Sequence, residues 1–262
     1  MLKLNAIKSE KIWGYELWIA STHPNGCQKD FEVFAGGDYP LLVKVIQADD
    51  VLSVQVHPDD ELAAKFEGCR GKTECWYILD AKKDSRLIYG MKDEYSGDEL
   101  KKAIDENRLE DYMKSVNVER GDFAYIPAGT VHAIGGGLRI LEVQQSSDIT
   151  YRLYDWGRGR ECHVEKGIAS IKNLDAQKLV KFPGSFQCPY FAMQEIRVDG
   201  KLETFASAEH TEGPASKVLL FVLEGEGKIN GENVRPEEIY AFASGEQIVV
   251  EGKISLMKIA AR

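Results

Sequence analysis

Two histidines, one glutamate and one glutamine have residue types and spacings that suit a metal ion. Gln55 and His57 stand two residues apart, so a strand would point both side chains to one face. Glu74 opens an apolar run, and His132 follows a Pro-Ala-Gly turn. Two imidazoles, a carboxylate and an amide oxygen suit a divalent ion, with Zn²⁺ the first choice and Mn²⁺ or Fe²⁺ also compatible. Without a cysteine in the set, we expect an open coordination position, as in catalytic sites.

Three basic residues near these candidates carry the charge that an anionic substrate would need. Lys44 lies in an apolar run, Lys72 precedes Glu74 by two residues, and Arg152 lies in the run Ile-Thr-Tyr-Arg-Leu-Tyr. Taken alone, Arg152 is equally well explained as an exposed residue of an edge strand. A small anionic substrate held by two or three such cations is compatible with the sequence.

The elements that must position these residues are predominantly strands, because short apolar runs with period-two alternation follow one another between turn residues. The predicted strands cover residues 41–48, 52–57, 74–79, 86–89, 123–126, 131–134, 139–145 and 150–155, then 191–198, 217–224, 227–229, 238–242, 247–250 and 254–259. Residues 96–116 predict one or two short helices, and residues 164–171 predict another. In a small barrel or jelly roll, alternate residues face the interior, so distant strands can bring polar groups to one point.

The strand rhythm predicts a mainly β protein of two antiparallel jelly-roll units joined near residue 175. We expect residues 1–174 to form the metal-binding catalytic unit, with a short helical insertion near residues 93–116. Residues 175–262 contain no histidine after His210 and no second turn motif of the kind that precedes His132. The second unit is therefore predicted to be a degenerate, metal-free copy.

Composition narrows the class of protein. The 262 residues include 33 basic and 42 acidic residues, and the net charge of -9 makes nucleic acid an unlikely partner. No apolar run is long enough to span a bilayer and the amino terminus lacks the apolar segment of a signal peptide, so we expect a cytoplasmic protein without a membrane partner. Five widely spaced cysteines without a CxxC pair predict neither disulfides nor a cysteine zinc site.

Several segments resemble a known family. A polar-x-His pair, a Glu 17 residues later and the pattern G-D-x4-P-x-G-x2-H are similar to the two-part signature of the cupin superfamily of metal-binding jelly rolls. VQVHPDD, GKTECWYIL, PAGTVHAIGGGLRILEVQ and ITYRLYDWGR resemble motifs of its class I mannose-6-phosphate isomerases, specifically the short bacterial form. The resemblance runs from about Lys11 to Arg158, is most specific over residues 41–158, and continues faintly through the C-terminal third. One departure is Trp-Gly-Tyr at residues 13–15, where the family tends to have Trp-Gly-Gly.

The resemblance implies an enzyme that interconverts mannose 6-phosphate and fructose 6-phosphate through a cis-enediol at a single Zn²⁺ site. The four ligands would be Gln55, His57, Glu74 and His132, and the small-molecule partner would be a sugar phosphate. A metal acting as a Lewis acid in a dry cavity suits the negative charge that develops on an enediolate.

The resemblance also assigns roles to the cations. Arg152 corresponds to an arginine regarded as catalytic in the family, and the matches for phosphate contacts are Lys44, Ser53 and Lys72. The general base stays open at this point, because Lys72, a metal-bound water and Asp148 are all chemically admissible. The oligomeric state is not predicted.

Two alternatives from other functional classes remain. A cupin dioxygenase would use Fe²⁺ on His57, Glu74 and His132, but it would leave the cations without a role. A sugar- or metal-binding cupin without turnover would be expected to lack those cations or to carry a DNA-binding helix-turn-helix, and the sequence has neither feature.

Overall fold

The computed structural model describes residues 1–172, 178–210 and 212–262. Nearly half of them lie in antiparallel strands and far fewer lie in helices, which confirms the mainly β fold class. The predicted boundary between residues 174 and 175 lies outside the described residues. No helix in the described part of the chain has both the length and the apolar character needed to cross a bilayer.

The elements are numbered in chain order. The strands are β1 (Leu2–Leu4), β2 (Ile7–Lys11), β3 (Gly14–Ala20), β4 (Leu41–Ala48), β5 (Val54–Val56), β6 (Glu74–Ala81), β7 (Arg86–Met91), β8 (Met113–Asn117), β9 (Asp122–Ile126), β10 (His132–Ile134), β11 (Leu138–Gln145), β12 (Tyr151–Tyr154), β13 (Val180–Lys181), β14 (Ser185–Gln187), β15 (Phe191–Phe205), β16 (Lys217–Ile229), β17 (Glu232–Val234), β18 (Ile239–Ala243) and β19 (Gln247–Ala261). The α-helices are α1 (Lys29–Ala35), α2 (Asp60–Glu67), α3 (Gly97–Asp105) and α4 (Val164–Ser170). Short 3-10 helices cover Pro24–Gly26, Leu109–Tyr112 and Pro214–Ser216.

The described residues divide into two compact units. The central unit consists of residues 8–16 and 44–181, and the terminal unit consists of residues 1–7, 17–43 and 182–262. Residues 1–7 and 17–43 therefore group with the C-terminal strands, although they lie early in the sequence. All candidate site residues belong to the central unit.

The strands that carry the candidate site residues belong to two sheets. One has the strand order β12-β5-β10-β7-β8, and the other has the order β13-β9-β6-β11-β4-β3-β2. Buried residues of both sheets form a shared apolar cluster that includes Trp76, Ile78, Leu87 and Ile134. This cluster supports the strands from which the candidate ligands project.

The helical insertion is shorter than the sequence predicts. Ser96 caps α3, since its backbone N–H and hydroxyl donate to the Glu99 carboxylate and its hydroxyl accepts from the Glu99 N–H. A 3-10 turn follows, but residues 113–117 form β8, so the helix predicted up to residue 116 is wrong there. Pairing with β7, in which Val116 lies opposite Leu87, overrides the local helical spacing. The helix predicted over 164–171 is confirmed as α4.

The terminal unit contains longer strands than the sequence predicts. Its sheet has the order β1-β18-β16-β19-β15-β14, with β17 paired to β16. The predicted breaks near residues 225–226 and 251–253 are wrong, because Gly252 lies inside β19, opposite Gly200 of β15 and Gly227 of β16. A Cβ at Gly252 would lie 2.5 Å from the Glu226 carbonyl oxygen, so these glycines permit close approach of strands rather than turns.

Candidate metal centre

Three of the predicted ligands meet in the interior of the central unit. His57, Glu74 and His132 are at most 1% exposed, and their ligand atoms all lie within 4.8 Å of one another. The His57 Nε2 atom is 3.6 Å from Glu74 Oε2, and the His132 Nε2 atom is 3.4 Å from Glu74 Oε1. Residues separated by up to 75 positions in the chain thus form a candidate metal site.

Local pairing explains why these side chains converge. His132 begins β10 and lies opposite Gln55 of β5, so the two side chains share one face of the sheet. The Pro-Ala-Gly turn before His132 is fixed by the Gly129 N–H, which donates to the His57 carbonyl oxygen at 2.8 Å. Gly129 has a φ of +94°, and a Cβ there would lie 3.0 Å from the Ser170 carbonyl oxygen, so this position requires glycine.

The fourth predicted ligand, Gln55, also reaches the site. Its Nε2 atom lies 3.2 Å from His132 Nε2. The amide oxygen and nitrogen exchange places when the terminal group rotates by half a turn, so the oxygen can take this position beside the imidazole. Gln55 as a metal ligand stays a prediction.

The chemistry of the donor set fits a divalent metal ion. Among the described residues, His57 Nε2 and Glu74 Oε1 are buried atoms without a hydrogen-bond partner. His132 Nδ1 lies 2.9 Å from the Thr130 carbonyl oxygen, to which it donates, so the ring lone pair is on Nε2, the atom that lies beside Gln55 and Glu74. Buried polar atoms are rarely left without partners. A bound cation would satisfy all three residues together.

Burial also sets the protonation states that a metal site needs. It lowers the pKa of His132 to about 4 and places the pKa of His57 well below its ordinary value, so both rings are neutral near pH 7. Neutral imidazole is the form that binds a metal. Burial, assisted by the Glu142 charge, raises the pKa of Glu74 to about 7. A cation at the site would favour the ionised carboxylate.

Lys72 lies against the candidate ligands. Its ammonium nitrogen is 3.0 Å from Glu74 Oε2, and the residue is 5% exposed. The prediction that Lys72 belongs to the site rested on its position two residues before Glu74. The structure brings the lysine together with the candidate metal ligands.

The sequence analysis did not predict the buried charge pair that lies next to these residues. Glu142 on β11 accepts a hydrogen bond from Trp76 Nε1 at 2.9 Å and lies 3.2 Å from the Lys44 ammonium group. The Trp76 ring contacts the His132 ring edge-on, with centroids 5.3 Å apart. Glu142 stands as a charged residue in the apolar run Leu-Arg-Ile-Leu-Glu-Val, and that signal predicts an interior polar position.

Lys44 is therefore more deeply buried than a lysine whose only role is to contact a phosphate. It is 5% exposed and lies 3.9 Å from Glu16 in addition to Glu142. Burial opposes the charge on Lys44, but these carboxylates outweigh burial and raise its pKa. Burial likewise opposes the charge on Glu142, and Lys44 with Lys72 nevertheless lowers its pKa. Each charge keeps the other ionised inside the protein.

Arg152 lies in the same cross-strand row as two candidate ligands. It is opposite Gln55 in the β12–β5 pair, and Gln55 is opposite His132 in the β5–β10 pair. Its Nη1 donates to the Glu161 carbonyl oxygen at 2.6 Å, and its Nε is buried without a partner in the described residues. Burial, together with the nearby Arg160, lowers the Arg152 pKa.

The remaining candidates differ in environment. Ser53 immediately precedes β5 and is 4% exposed. Asp148, one of the candidate bases, follows β11 and is exposed. The roles predicted for Ser53, Lys44, Lys72 and Arg152 toward a substrate remain predictions.

Comparisons with known proteins connect this geometry to one family. Residues 27–84 match the family described as phosphomannose isomerase type I, catalytic domain. Mannose-6-phosphate isomerase ManA of Bacillus subtilis is 36% identical over 252 residues, which covers 90% of this chain and 74% of that protein. A mannose-6-phosphate isomerase of Streptococcus mutans is 33% identical, covering 91% of this chain and 83% of that protein.

The fold agrees with these sequence relatives. The crystal structure of the mannose 6-phosphate isomerase from Bacillus subtilis superimposes with a TM-score of 0.83 at 27% identity, and the match covers 98% of both chains. The predicted arrangement of cupin-type units with a small helical insertion is confirmed by this likeness. The chain therefore belongs to the type I mannose-6-phosphate isomerase family.

Proposed function

We propose that this protein is an aldose-ketose isomerase that interconverts D-mannose 6-phosphate and D-fructose 6-phosphate. The observation that carries the proposal is the buried convergence of His57, Glu74 and His132, with Lys72 in contact, in a chain of this family. The alternatives of a dioxygenase or a binding protein without turnover are not favoured by any comparison. The cytoplasmic location stays a prediction.

One Zn²⁺ per chain is the cofactor we propose, held by His57, Glu74, His132 and Gln55. The donor set of nitrogen and oxygen, without cysteine, supports zinc at an open, catalytic site. When bound, such an ion would polarise a substrate oxygen and stabilise the negative charge of the enediolate. Thr130 holds His132 in the tautomer whose Nε2 faces the site.

The isomerisation moves one proton between C1 and C2 of the open-chain sugar through a cis-enediol. Lys72, buried beside Glu74, is the residue we propose for proton transfer, because it lies at the metal centre whereas Asp148 is exposed. Arg152 is proposed to stabilise the developing oxyanion, and its position in the Gln55–His132 row supports that role. A guanidinium stays charged at any working pH.

Substrate binding is proposed to involve the phosphate and the same cations. Lys44, Ser53, Lys72 and Arg152 are the candidates for contacts with the sugar phosphate. The burial of Lys44 against Glu142 supports an interior electrostatic role for this lysine alongside any phosphate contact. The dry interior strengthens each charge interaction relative to the same pair in water.

In this proposal, the two predicted domains have different roles. The metal-binding catalytic unit predicted over residues 1–174 carries the reaction, and the unit predicted over residues 175–262 is a metal-free copy. The absence of a histidine after His210 supports the second assignment.

A coupled assay of mannose 6-phosphate conversion tests the proposal. We expect turnover in the purified protein, loss of turnover after treatment with a chelator, and recovery on addition of Zn²⁺, with Mn²⁺ and Fe²⁺ compared in parallel. Full turnover in protein verified by elemental analysis to be metal-free would refute the metal proposal. Oxygen consumption without sugar conversion would favour the dioxygenase alternative.

A further inference from the structure

One cavity is lined entirely by residues of the terminal unit and by no residue of the candidate metal centre. Its volume is about 580 Å³, which falls within the range of roughly 300–1,000 Å³ that is usual for small-molecule sites. The lining comes from β14, the beginning of β15, the end of β19 and residues 207–209. Nothing in the proposed isomerase reaction uses this cavity.

Lys258 is the residue that distinguishes this cavity. Along β19, Ile254 and Leu256 are buried in the apolar core of the terminal unit, and Lys258 continues the same alternating face. Its neighbour across the β16–β19 pair is the buried core residue Leu220. A partly buried ammonium group thus lies where the core face opens into the cavity.

The charge of Lys258 has no counter-charge in the described part of the chain. No carboxylate pairs with it, and burial is the one influence on its pKa, which it lowers. The other cation at the cavity, Arg262, donates from Nε to Glu209 at 2.6 Å, so this pair is neutral overall. The cavity therefore contains a lysine side chain without a carboxylate side-chain partner in the described residues, in a chain whose net charge is -9.

Exposed neutral polar side chains line the cavity beside that charge. Lys258 lies opposite Gln194, and Gln194 lies opposite Ser185, so the three occupy one row across β19, β15 and β14. Gln187, opposite Ala192, occupies the next row on the same face of the sheet. Amide and hydroxyl groups both donate and accept, which suits the hydroxyl groups of a polyol.

We infer that this cavity is a second small-molecule site, in which Lys258 binds the anionic group of a polyhydroxylated phosphate ester such as a sugar phosphate. The ammonium group provides charge-assisted hydrogen bonds to phosphate oxygens, and the Ser185–Gln194 row contacts the hydroxyl groups. The inference does not depend on the proposed isomerase function, because the two sites share no residue.

Binding of sorbitol 6-phosphate to the metal-loaded full-length protein tests this inference. Equilibrium dialysis counts the bound ligand, and amide NMR shifts of residues 192–194 and 258–261 locate it. We expect Lys258→Met to remove one binding site or to weaken it about tenfold or more, and to abolish those shifts. Lys253→Met, at an exposed lysine on the same strand, is the matched control and should behave as the wild type.

Three comparisons make the result decisive. At pH 7, isomerase turnover of Lys258→Met should equal that of the wild type and its thermal midpoint should stay close to the wild-type value, which excludes a folding defect. Inorganic phosphate and sorbitol are expected to bind more weakly than sorbitol 6-phosphate, because each has only one of the two recognised groups. Equal stoichiometry and equal shifts in Lys258→Met and wild type would overturn the inference, as would equally tight binding of inorganic phosphate alone.

Discussion

The central and terminal units build their interiors from the same strand alternation but fill them with different chemistry. In the central unit, inward positions carry His57, Glu74, His132 and Glu142, all nearly inaccessible to solvent. In the terminal unit, the corresponding cluster consists of apolar residues of β15, β16, β18 and β19. The comparison shows that the two-residue alternation of a strand determines which side chains face the interior. The type of those side chains then determines whether the interior only stabilises the fold or also provides reactive groups.

A polar interior is stable only when its charges have partners. Moving one charge out of water costs several kcal/mol, and the central unit offsets this cost with the Lys44–Glu142 and Lys72–Glu74 pairs. The terminal unit needs no such pairs, since burial of apolar area stabilises it at roughly 25 cal/mol per Å². Lys258, at the edge of that apolar core, is the exception and has no carboxylate partner among the described residues.

The largest expected effect follows from removing a candidate ligand of the central unit. His132→Ala should reduce bound metal from about one ion per chain to near zero and lower turnover by a factor on the order of a thousand, because no other donor replaces Nε2. Elemental analysis and the coupled assay measure both effects. His210→Ala, at an exposed histidine, is the control. Retained metal in His132→Ala would contradict the site, whereas sorbitol 6-phosphate binding in the terminal unit should persist.

Breaking the buried charge pair should destabilise the central unit. Lys44→Met leaves the Glu142 carboxylate buried without its closest cation, which is expected to cost about 3–5 kcal/mol of unfolding free energy. The double variant Lys44→Met/Glu142→Gln should cost less, since position 142 no longer carries an uncompensated buried charge. Urea denaturation provides the measurement. Lys8→Met, which removes an exposed pair with Glu10, should leave stability nearly unchanged because water screens that pair.

If the single and double variants at Lys44 and Glu142 lost equal stability, the pair would not be the source of the effect. The comparison between the units would then need another explanation for the buried charges of the central unit.

A smaller effect is expected from Arg152, which acts on charge rather than on the fold. Arg152→Ala should lower kcat by a factor on the order of a hundred while KM changes little, because the lost donor stabilises the developing enediolate. Arg152→Lys should recover little, since an ammonium lacks the planar bidentate geometry. Steady-state kinetics with mannose 6-phosphate test this, with exposed Arg108→Ala as control. A rise in KM at unchanged kcat would reassign Arg152 to ground-state phosphate binding.

The smallest expected effect concerns the pH dependence of Lys258. Burial lowers the pKa of Lys258 in the folded protein. At pH values just below the ordinary lysine pKa of about 10.4, Lys258 is therefore protonated more often in the unfolded chain than in the folded protein. The wild type should therefore gain stability relative to Lys258→Met as pH rises through that interval. We expect a difference of less than about 1 kcal/mol, measured by urea denaturation at pH 8 and pH 10.5. The opposite slope would show that an anionic partner holds Lys258 charged.

Local sequence signals were enough to select the candidate ligands, for a physical reason, and their role as ligands stays a prediction. A strand of period two fixes the relative direction of Gln55 and His57, and a Pro-Ala-Gly turn reverses the chain before His132. Both signals act over a few residues, so no tertiary information is needed to identify them. The helix beginning at Ser96 was predicted for the same reason, because a capping box is local.

Features that depend on strand pairing were not predicted. Residues 113–117 have helical spacing but become β8, because hydrogen bonds to β7 outweigh a weak local preference. Residues 251–253 were predicted as a break between two strands, but Gly252 lies inside one long strand where neighbouring backbones approach closely. In each case the residue type was compatible with two structures, and a partner distant in sequence selected one.

The sequence by itself determined the mainly β class, the resemblance to a family and three candidate metal ligands, because residue type and short-range period carry that information. Only the tertiary structure decided that Glu142 pairs with Lys44 and that Lys258 faces a cavity without a carboxylate partner in the described residues. It also decided that residues 1–7 and 17–43 group with the C-terminal strands. These outcomes depend on which strands become neighbours, and no single stretch of the chain specifies both members of a pair.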